Sequence, residues 1–286
     1  MNILDDLKLQ YKLGGTAMRV IYWNIACFLI SLVFYNFSDG NFNFPDWLAL
    51  SSDPQVFLFK PWTFLTYAFF HDGFLHLFFN MMVLNFASTL FLTYFTQKQF
   101  LGLYILSAIF AGVIFALSFY FLNISAPIVG ASAAIMAILV AATTYQPLMT
   151  VRLMFLGNVK LWHITAVILV LDLMQFRLSN SGGHISHLAG AFFGFVYIKL
   201  LLNGTDLSII ISRIIDFFVN LFKKSPTTPF TKVHKNYQKP TQKTTSRIVT
   251  KDKTQQQIDE ILDKISKSGY DCLTKEEKEF LFKAGK

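Results

Sequence analysis

The sequence predicts an all-α membrane protein, a bundle of six transmembrane helices with a basic cytoplasmic C-terminal tail. Three observations carry that expectation. Of the 286 residues, 53% are hydrophobic and only 15% are charged, with 32 Phe and a mean hydropathy of +0.46; a soluble domain carries about 25% charged residues. Six stretches are apolar over roughly the 20 residues that a spanning helix needs. The charge is also unevenly placed: residues 204–286 hold 16 Lys and Arg against 10 Asp and Glu, whereas residues 1–203 hold 9 against 7. A basic tail on a nearly neutral body fits a membrane protein. The body lacks the basic stripe with interleaved aromatics that nucleic acid requires. Cys27 and Cys272 are too far apart in sequence and environment to make a disulfide framework or a metal site.

Taken in order, residues 1–18 form a cytoplasmic N-terminal segment. It is polar for too long to be a signal peptide and no small-residue cleavage site follows, so the first apolar run is a retained span. The bundle occupies residues 19–203. Spans begin at 19–37 (RVIYWNIACFLISLVFYNF), 74–95 (FLHLFFNMMVLNFASTLFLTYF) and 100–122 (FLGLYILSAIFAGVIFALSFYFL), and three more lie near 130–146, 161–176 and 185–202. The fourth and fifth are short. A short span that starts after Gly or Pro often begins inside the protein, with its first turn beside a cavity. The long connection 38–73 carries Pro45, Trp47, Pro54, Pro61 and Trp62 among apolar residues such as Leu48, Leu50, Val56, Leu58 and Phe59. That composition predicts a loop lying in the membrane interface.

Loop charges set the orientation. Lys8, Lys12, Arg19, Lys98, Arg152 and Lys160 fall on one side, while the opposite loops hold only Lys60 and Arg177. The basic side is cytoplasmic, which puts both termini inside, as an even number of spans requires. The expected location is a bacterial cytoplasmic membrane, from the short termini and compact core. Beyond the sixth span, residues 204–224 place Leu207, Ile210, Ile211, Ile214, Phe218, Leu221 and Phe222 on one helical face. Arg213 and Asp216 on the other make an interfacial helix the better expectation than a seventh span. Residues 225–255, rich in Thr, Lys, Gln and Pro, read as a disordered basic linker. Residues 256–286 form a small helical segment of two amphipathic helices split by Gly269, the second opened by a Thr274–Glu277 capping box.

Three polar clusters interrupt the apolar spans, where each polar group requires a partner or a purpose. In HDGFLHLFFN, His76 and Asn80 are four apart and share a helix face, with His71 at the loop junction. In GASA, Gly130 to Ala133, Ser132 sits at a helix N-terminus beside free backbone N–H groups and the positive end of the dipole. In GGHISHLAGAFFG, Gly183, His187, Ala191 and Gly194 fall near one another, a small face carrying one imidazole. Each cluster also reads as packing: a His–Asn pair bonding helices together, Ser132 as an N-cap between small residues, a structural histidine on a close-approach face. His184 is expected only to cap its helix or touch surface water. Spans two, four and six run the same way, so the three clusters can meet at one depth. Nucleophile, base and donors for a developing negative charge make a hydrolase constellation.

With PWTFLTYAFFHDGFLHLFFNMMVLN, GASAAIMAI and SHLAGAFFGF in that order, the chain resembles the rhomboid family of intramembrane serine proteases over about residues 56–203. The resemblance implies a six-helix bundle with a water-filled cavity opening outward, and a Ser–His dyad without an acidic third member. It makes Ser132 the nucleophile and His187 the general base and acid. His76, Asn80 and the Ser132 N–H become the oxyanion hole, and His71, Gly130 and Gly183 supporting positions. Two residues depart from the family pattern. Ala133 stands where the family has the last glycine of GxSG, and Met136 where an aromatic often stacks on the catalytic histidine; an altered rate or substrate range is the expectation. Sulfur can contact an imidazole ring adequately.

The implied function is that of an intramembrane serine endopeptidase, cutting transmembrane segments through an acyl-enzyme. Its substrates are membrane proteins whose helices are weakened by Gly or Pro near the cut. No metal or organic cofactor is called for. The expected partners are those substrates, membrane lipid and a cytoplasmic protein for the tail, with no nucleic acid. The alternatives are a catalytically impaired rhomboid-like binder of membrane proteins and a transporter relaying protons through His76, Asn80 and His187. The second is disfavoured because Asp172 is the only acid in the spans.

Overall fold

A computed structural model describes residues 2–34, 45–154, 157–175, 181–222 and 253–284, in two compact units, Met1–Ser225 and Pro226–Lys286. The end of the first expected span, the start of the long loop, the loop bearing Arg177 and nearly all of the expected linker 225–255 lie outside the described residues.

The first unit is built of helices. The polar N-terminal segment contains one, α1 (Ile3–Leu13), with Asp5 and Asp6 in its first turn and Lys12 in its last, which suits the helix dipole. α2 (Gly15–Phe34) follows at once, earlier than the span expected from residue 19, because the Gln97 side chain accepts from the Thr16 N–H at 2.7 Å and caps its start. The long connection folds into α3 (Pro54–Phe57), α4 (Thr63–Thr66) and a 3₁₀ turn at Tyr67–Phe69. Then come α5 (Phe74–Leu92) and α6 (Gln97–Phe121), the latter opened by a Thr96–Gln99 capping box. α7 (Ser132–Tyr145), α8 (Leu161–Gln175), α9 (Ser181–Leu202) and α10 (Ser208–Phe222) complete the unit. A short antiparallel hairpin, Thr150–Leu153 with Gly157–Lys160, joins α7 to α8.

Among the described residues, α2, α5, α6 and α9 are long and apolar enough to cross a membrane, while α7 and α8 are apolar but shorter. At 1.5 Å per residue α7, with 14 residues, is about 21 Å long. It is the centre of this unit. Every residue from Ala133 to Ala142 is buried, the pattern of a helix enclosed on all sides, and α5, α6 and α9 pack around it. α9 comes closest. A β-carbon added at Gly190 would lie 2.0 Å from the Ala133 carbonyl oxygen, and one at Gly194 would lie 2.1 Å from that of Ala137. Two glycines four apart thus meet two alanines four apart, backbone against backbone. The sequence pointed to Gly183, His187, Ala191 and Gly194 as the small face; the contact with α7 runs instead along Gly190 and Gly194. Ala133 is 2% exposed and packs with Ala111 of α6 and Ala189 of α9, so its methyl has a place among small neighbours.

The connection before α5 also clamps the approach to α7. Leu50–Ser51 pairs antiparallel with Pro127–Ile128, Ser52 Oγ donates to the Ile124 carbonyl at 2.9 Å, and the Tyr67 hydroxyl donates to the Ala108 carbonyl at 2.8 Å. The same loop leaves Trp47, Leu58, Phe59 and Trp62 exposed, an apolar rim of the kind an interfacial segment presents. α10 packs on α6 through Ser208 and Ile211 and leaves Ile210, Ile214, Phe217, Phe218 and Leu221 exposed. Asp206 caps it, accepting from the Ser208 N–H at 2.9 Å and the Gln99 amide at 3.1 Å.

The second unit holds α11 (Lys253–Ser268) and α12 (Lys275–Ala284) around a 3₁₀ turn at Tyr270–Cys272. Gly269 turns the chain with φ +78°. Thr274 and Glu277 exchange the two bonds of a capping box, and Lys264 donates to Glu277 at 2.8 Å across the helix pair. Ile261 and Leu273 are its buried apolar residues.

Candidate active site

Ser132 owes its position to the turn in front of α7. Gly130 has φ +136°, a conformation that side chains resist, and its N–H donates to the Tyr67 carbonyl at 2.9 Å. Ala131 is the N-cap and makes no side-chain capping bond, so Ser132 is the first residue of the helix and not its cap. At that position a backbone N–H has no acceptor within the helix and lies at the positive end of the dipole. The Ser132 hydroxyl is therefore released for another partner. That partner is His187 of α9, whose Nε2 lies 2.6 Å from Ser132 Oγ, with both residues half-buried. The Gly190 and Gly194 contact described above is what lets α9 come this near.

Behind the imidazole the structure departs from expectation. His187 Nδ1 lies 2.7 Å from Oδ1 of Asp172 on α8, where the resemblance implied no acid. His184 Nδ1 reaches the same oxygen, also at 2.7 Å. His184 is thus neither a cap nor a surface group; it lies one turn inside α9, is 8% exposed, and sits edge-on to His187 with ring centroids 5.8 Å apart. The reason is helical spacing: residues three apart on α9 present both rings to one point on α8.

Asn80 and His76 share a face of α5 but have different surroundings. Asn80 is buried, and its Nδ2 donor has no hydrogen-bond partner. With Ser132, His187, Asp172 and Met136 it lines a cavity of about 370 Å³, whose apolar wall includes Phe79 and Ile168. His76 stands beside that cavity. Its Nδ1 meets Asp72 Oδ1 at 2.5 Å, and its ring edge faces Gly130, where an added β-carbon would lie 3.0 Å from Nε2 and 3.5 Å from Ser132 Oγ. His71 is 1% exposed and packs edge-on against His76 at 5.0 Å, with neither ring nitrogen hydrogen-bonded. Burial first, and then the neighbouring His76, push its pKa from 6.5 down to about 3. The hydrogen bond from His76 holds the Asp72 carboxyl below its ordinary value against the effect of burial. Gly183 is half-buried on α9, and Met136 is 6% exposed.

Asp172, His184 and His187 are the one group among the described residues whose donor atoms, all within 4.8 Å of one another, have the chemistry to hold a cation. In the structure those atoms bond to one another, each imidazole using its Nδ1 as a donor to a carboxylate oxygen, which is not how a metal ligand uses it. The sequence singled out Ser132, His187, Asn80 and His76, and missed the Asp172–His184 link. The signal available was that Asp172 is the only acid between Phe74 and Leu202.

A family model described as "Rhomboid domain" matches residues 59–204. A second, described as a "Family of unknown function (DUF6576)", matches residues 249–283 and so covers α11 and nearly all of α12. No curated protein matches the chain.

Proposed function

Because the chain belongs to the rhomboid family, whose members are generally intramembrane serine proteases, we propose that it is a serine endopeptidase cutting transmembrane segments of membrane proteins. In this reading the four long apolar helices and the shorter α7 and α8 make six spans, with both termini cytoplasmic and the Ser132 end of α7 toward the outer side. The observation that carries it is the 2.6 Å approach of His187 Nε2 to Ser132 Oγ in a cavity that also presents an unpartnered Asn80 amide.

His187 Nε2 takes the proton as Ser132 Oγ attacks a peptide carbonyl of the substrate. The negative charge that develops on the carbonyl oxygen receives hydrogen bonds from the Ser132 N–H and Asn80 Nδ2. Asn80 suits this task because its donor is otherwise unused. His76 contributes from the Gly130 side; with Asp72 accepting from Nδ1, its Nε2 is a donor only when the ring carries both protons. Collapse of the intermediate expels the amine, which takes the proton from His187, and leaves an ester on Ser132. Water, deprotonated by the same histidine, then hydrolyses the ester. A substrate helix has its carbonyls locked in its own hydrogen bonds, so it must unwind locally to be cut.

Purified protein in liposomes, given a labelled single-span substrate, should cleave it, and Ser132→Ala and His187→Ala should each lower the rate by about 10³-fold or more. A fluorophosphonate should label Ser132 in the parent protein and not in His187→Ala. Binding of the substrate without cleavage by any form would favour the impaired binder instead.

A further inference from the structure

Asp172 is buried at 8% exposure, and both of its hydrogen bonds are to Oδ1, one from His187 and one from His184; Oδ2 has no partner. On α8 only Leu161, Thr165 and Asp172 are buried. They fall four and seven apart on one inward stripe, where packing alone would put an apolar residue. A carboxylate there is costly in a spanning helix, and half of its accepting capacity is unused, so stability does not explain it. What it does explain is the state of His187. An ionised carboxylate can only accept, so in the neutral ring Nδ1 carries the proton and Nε2, on the opposite edge, offers its lone pair to the Ser132 hydroxyl.

We propose that Asp172 is a positioning residue for the Ser132–His187 pair, completing a Ser–His–Asp relay that holds His187 in the tautomer needed for attack and stabilises the imidazolium formed on proton transfer. His184, by donating to the same oxygen, fixes the carboxylate in place. The inference rests on the serine-protease reading above. The relay is continuous: Ser132 Oγ to His187 Nε2 at 2.6 Å, then His187 Nδ1 to Asp172 Oδ1 at 2.7 Å. Three helices supply one member each, so no single local motif would reveal it.

The test compares the full chain with Asp172→Asn, an isosteric change that removes the charge. The readouts are substrate cleavage, the fluorophosphonate labelling rate, thermal unfolding and the ¹H–¹⁵N spectrum of histidine-labelled protein. In Asp172→Asn, kcat and labelling rate should fall by about 30-fold or more, with KM within about twofold. The protein should still unfold cooperatively. The parent spectrum should hold downfield Nδ1–H resonances of the two imidazoles bonded to Asp172, and Asp172→Asn should lose both while that of His76, bonded to Asp72, stays. His184→Gln should remove one of the two Asp172-dependent resonances and leave the other, a signature independent of activity should Asp172→Asn fold poorly. An active parent whose Asp172→Asn form keeps its labelling rate within threefold, or a parent spectrum lacking those resonances, overturns the relay alone. A folded parent that neither cleaves nor labels overturns the protease reading, and the relay with it.

Discussion

At Asn80 stability and activity pull in opposite directions. A buried amide donor without a partner costs about 1–3 kcal/mol, a cost that only an incoming oxyanion would offset. Asn80→Leu is therefore expected to raise the thermal midpoint while lowering kcat by about 10²–10³-fold, the usual consequence of removing one oxyanion donor; calorimetry and cleavage on the same preparation check both signs. His71 yields a pH dependence. Its folded pKa is about 3 against an ordinary 6.5, depressed by burial and by His76. The unfolded chain takes up a proton near pH 6.5 that the folded one refuses until about pH 3. The stability linked to its neutral ring is therefore present above about 6.5 and lost as the pH falls toward 3. Thermal midpoints measured from pH 7 to pH 4 should decline, and His71→Leu should flatten that decline.

Among the helices, the contact of α7 with α9 sets the geometry of the site. Since a β-carbon at Gly190 would lie 2.0 Å from a backbone oxygen, which cannot swing aside, Gly190→Ala must push the helices apart. The expected cost is about 1–3 kcal/mol or more, together with loss of Ser132 labelling, because His187 rides on the displaced helix. Gly73→Ala, where nothing lies within 4 Å and the backbone is extended, should change neither. The two substitutions run side by side in thermal unfolding and labelling. Such distinctions mark how far the sequence could be read. The apolar helices were legible because apolar length is a property of each segment alone, and α5, α6, α7 and α8 lie close to the ranges their hydropathy indicates. The closeness of Ser132 to His187 was legible through motif order. The part Gly190 plays was not, since a helix with Gly183, Gly190, Ala191 and Gly194 offers more than one small face and only the partner selects between them. Nor was Asp172, whose partners lie 12 and 15 residues away on another helix, beyond the reach of any periodicity. α1 escaped hydropathy because it is polar on average, although Asp5, Asp6 and Lys12 gave the charge pattern of a helix.

For the whole molecule, the loop that precedes α5 and the turn that precedes α7 are one construction. The pairing of Leu50–Ser51 with Pro127–Ile128 and the bond from Gly130 to Tyr67 tie the exposed Trp47, Leu58, Phe59 and Trp62 to the serine turn, so a segment suited to the membrane interface is linked directly to Ser132. The length of α7 then acquires a meaning of its own. A helix of about 21 Å standing in a hydrocarbon layer of about 30 Å, with its far end at the inner boundary, holds Ser132 about 9 Å beneath the outer one. Under the proposed function and orientation the protein is a depth gauge: it selects a bond by distance from the water line more than by the residues around it. With Ser132 tied to that interfacial segment, its depth below the outer boundary stays fixed. Reconstituted with one centred substrate in bilayers of increasing acyl-chain length, the protein should therefore cut progressively farther from the substrate's midpoint, by about one residue for every ~6.6 Å of added thickness if the unwound segment is extended at about 3.3 Å per residue. Mass spectrometry of the product termini reads that shift directly, and a cut that stays at one peptide bond across all thicknesses would show that sequence, not depth, is what it measures.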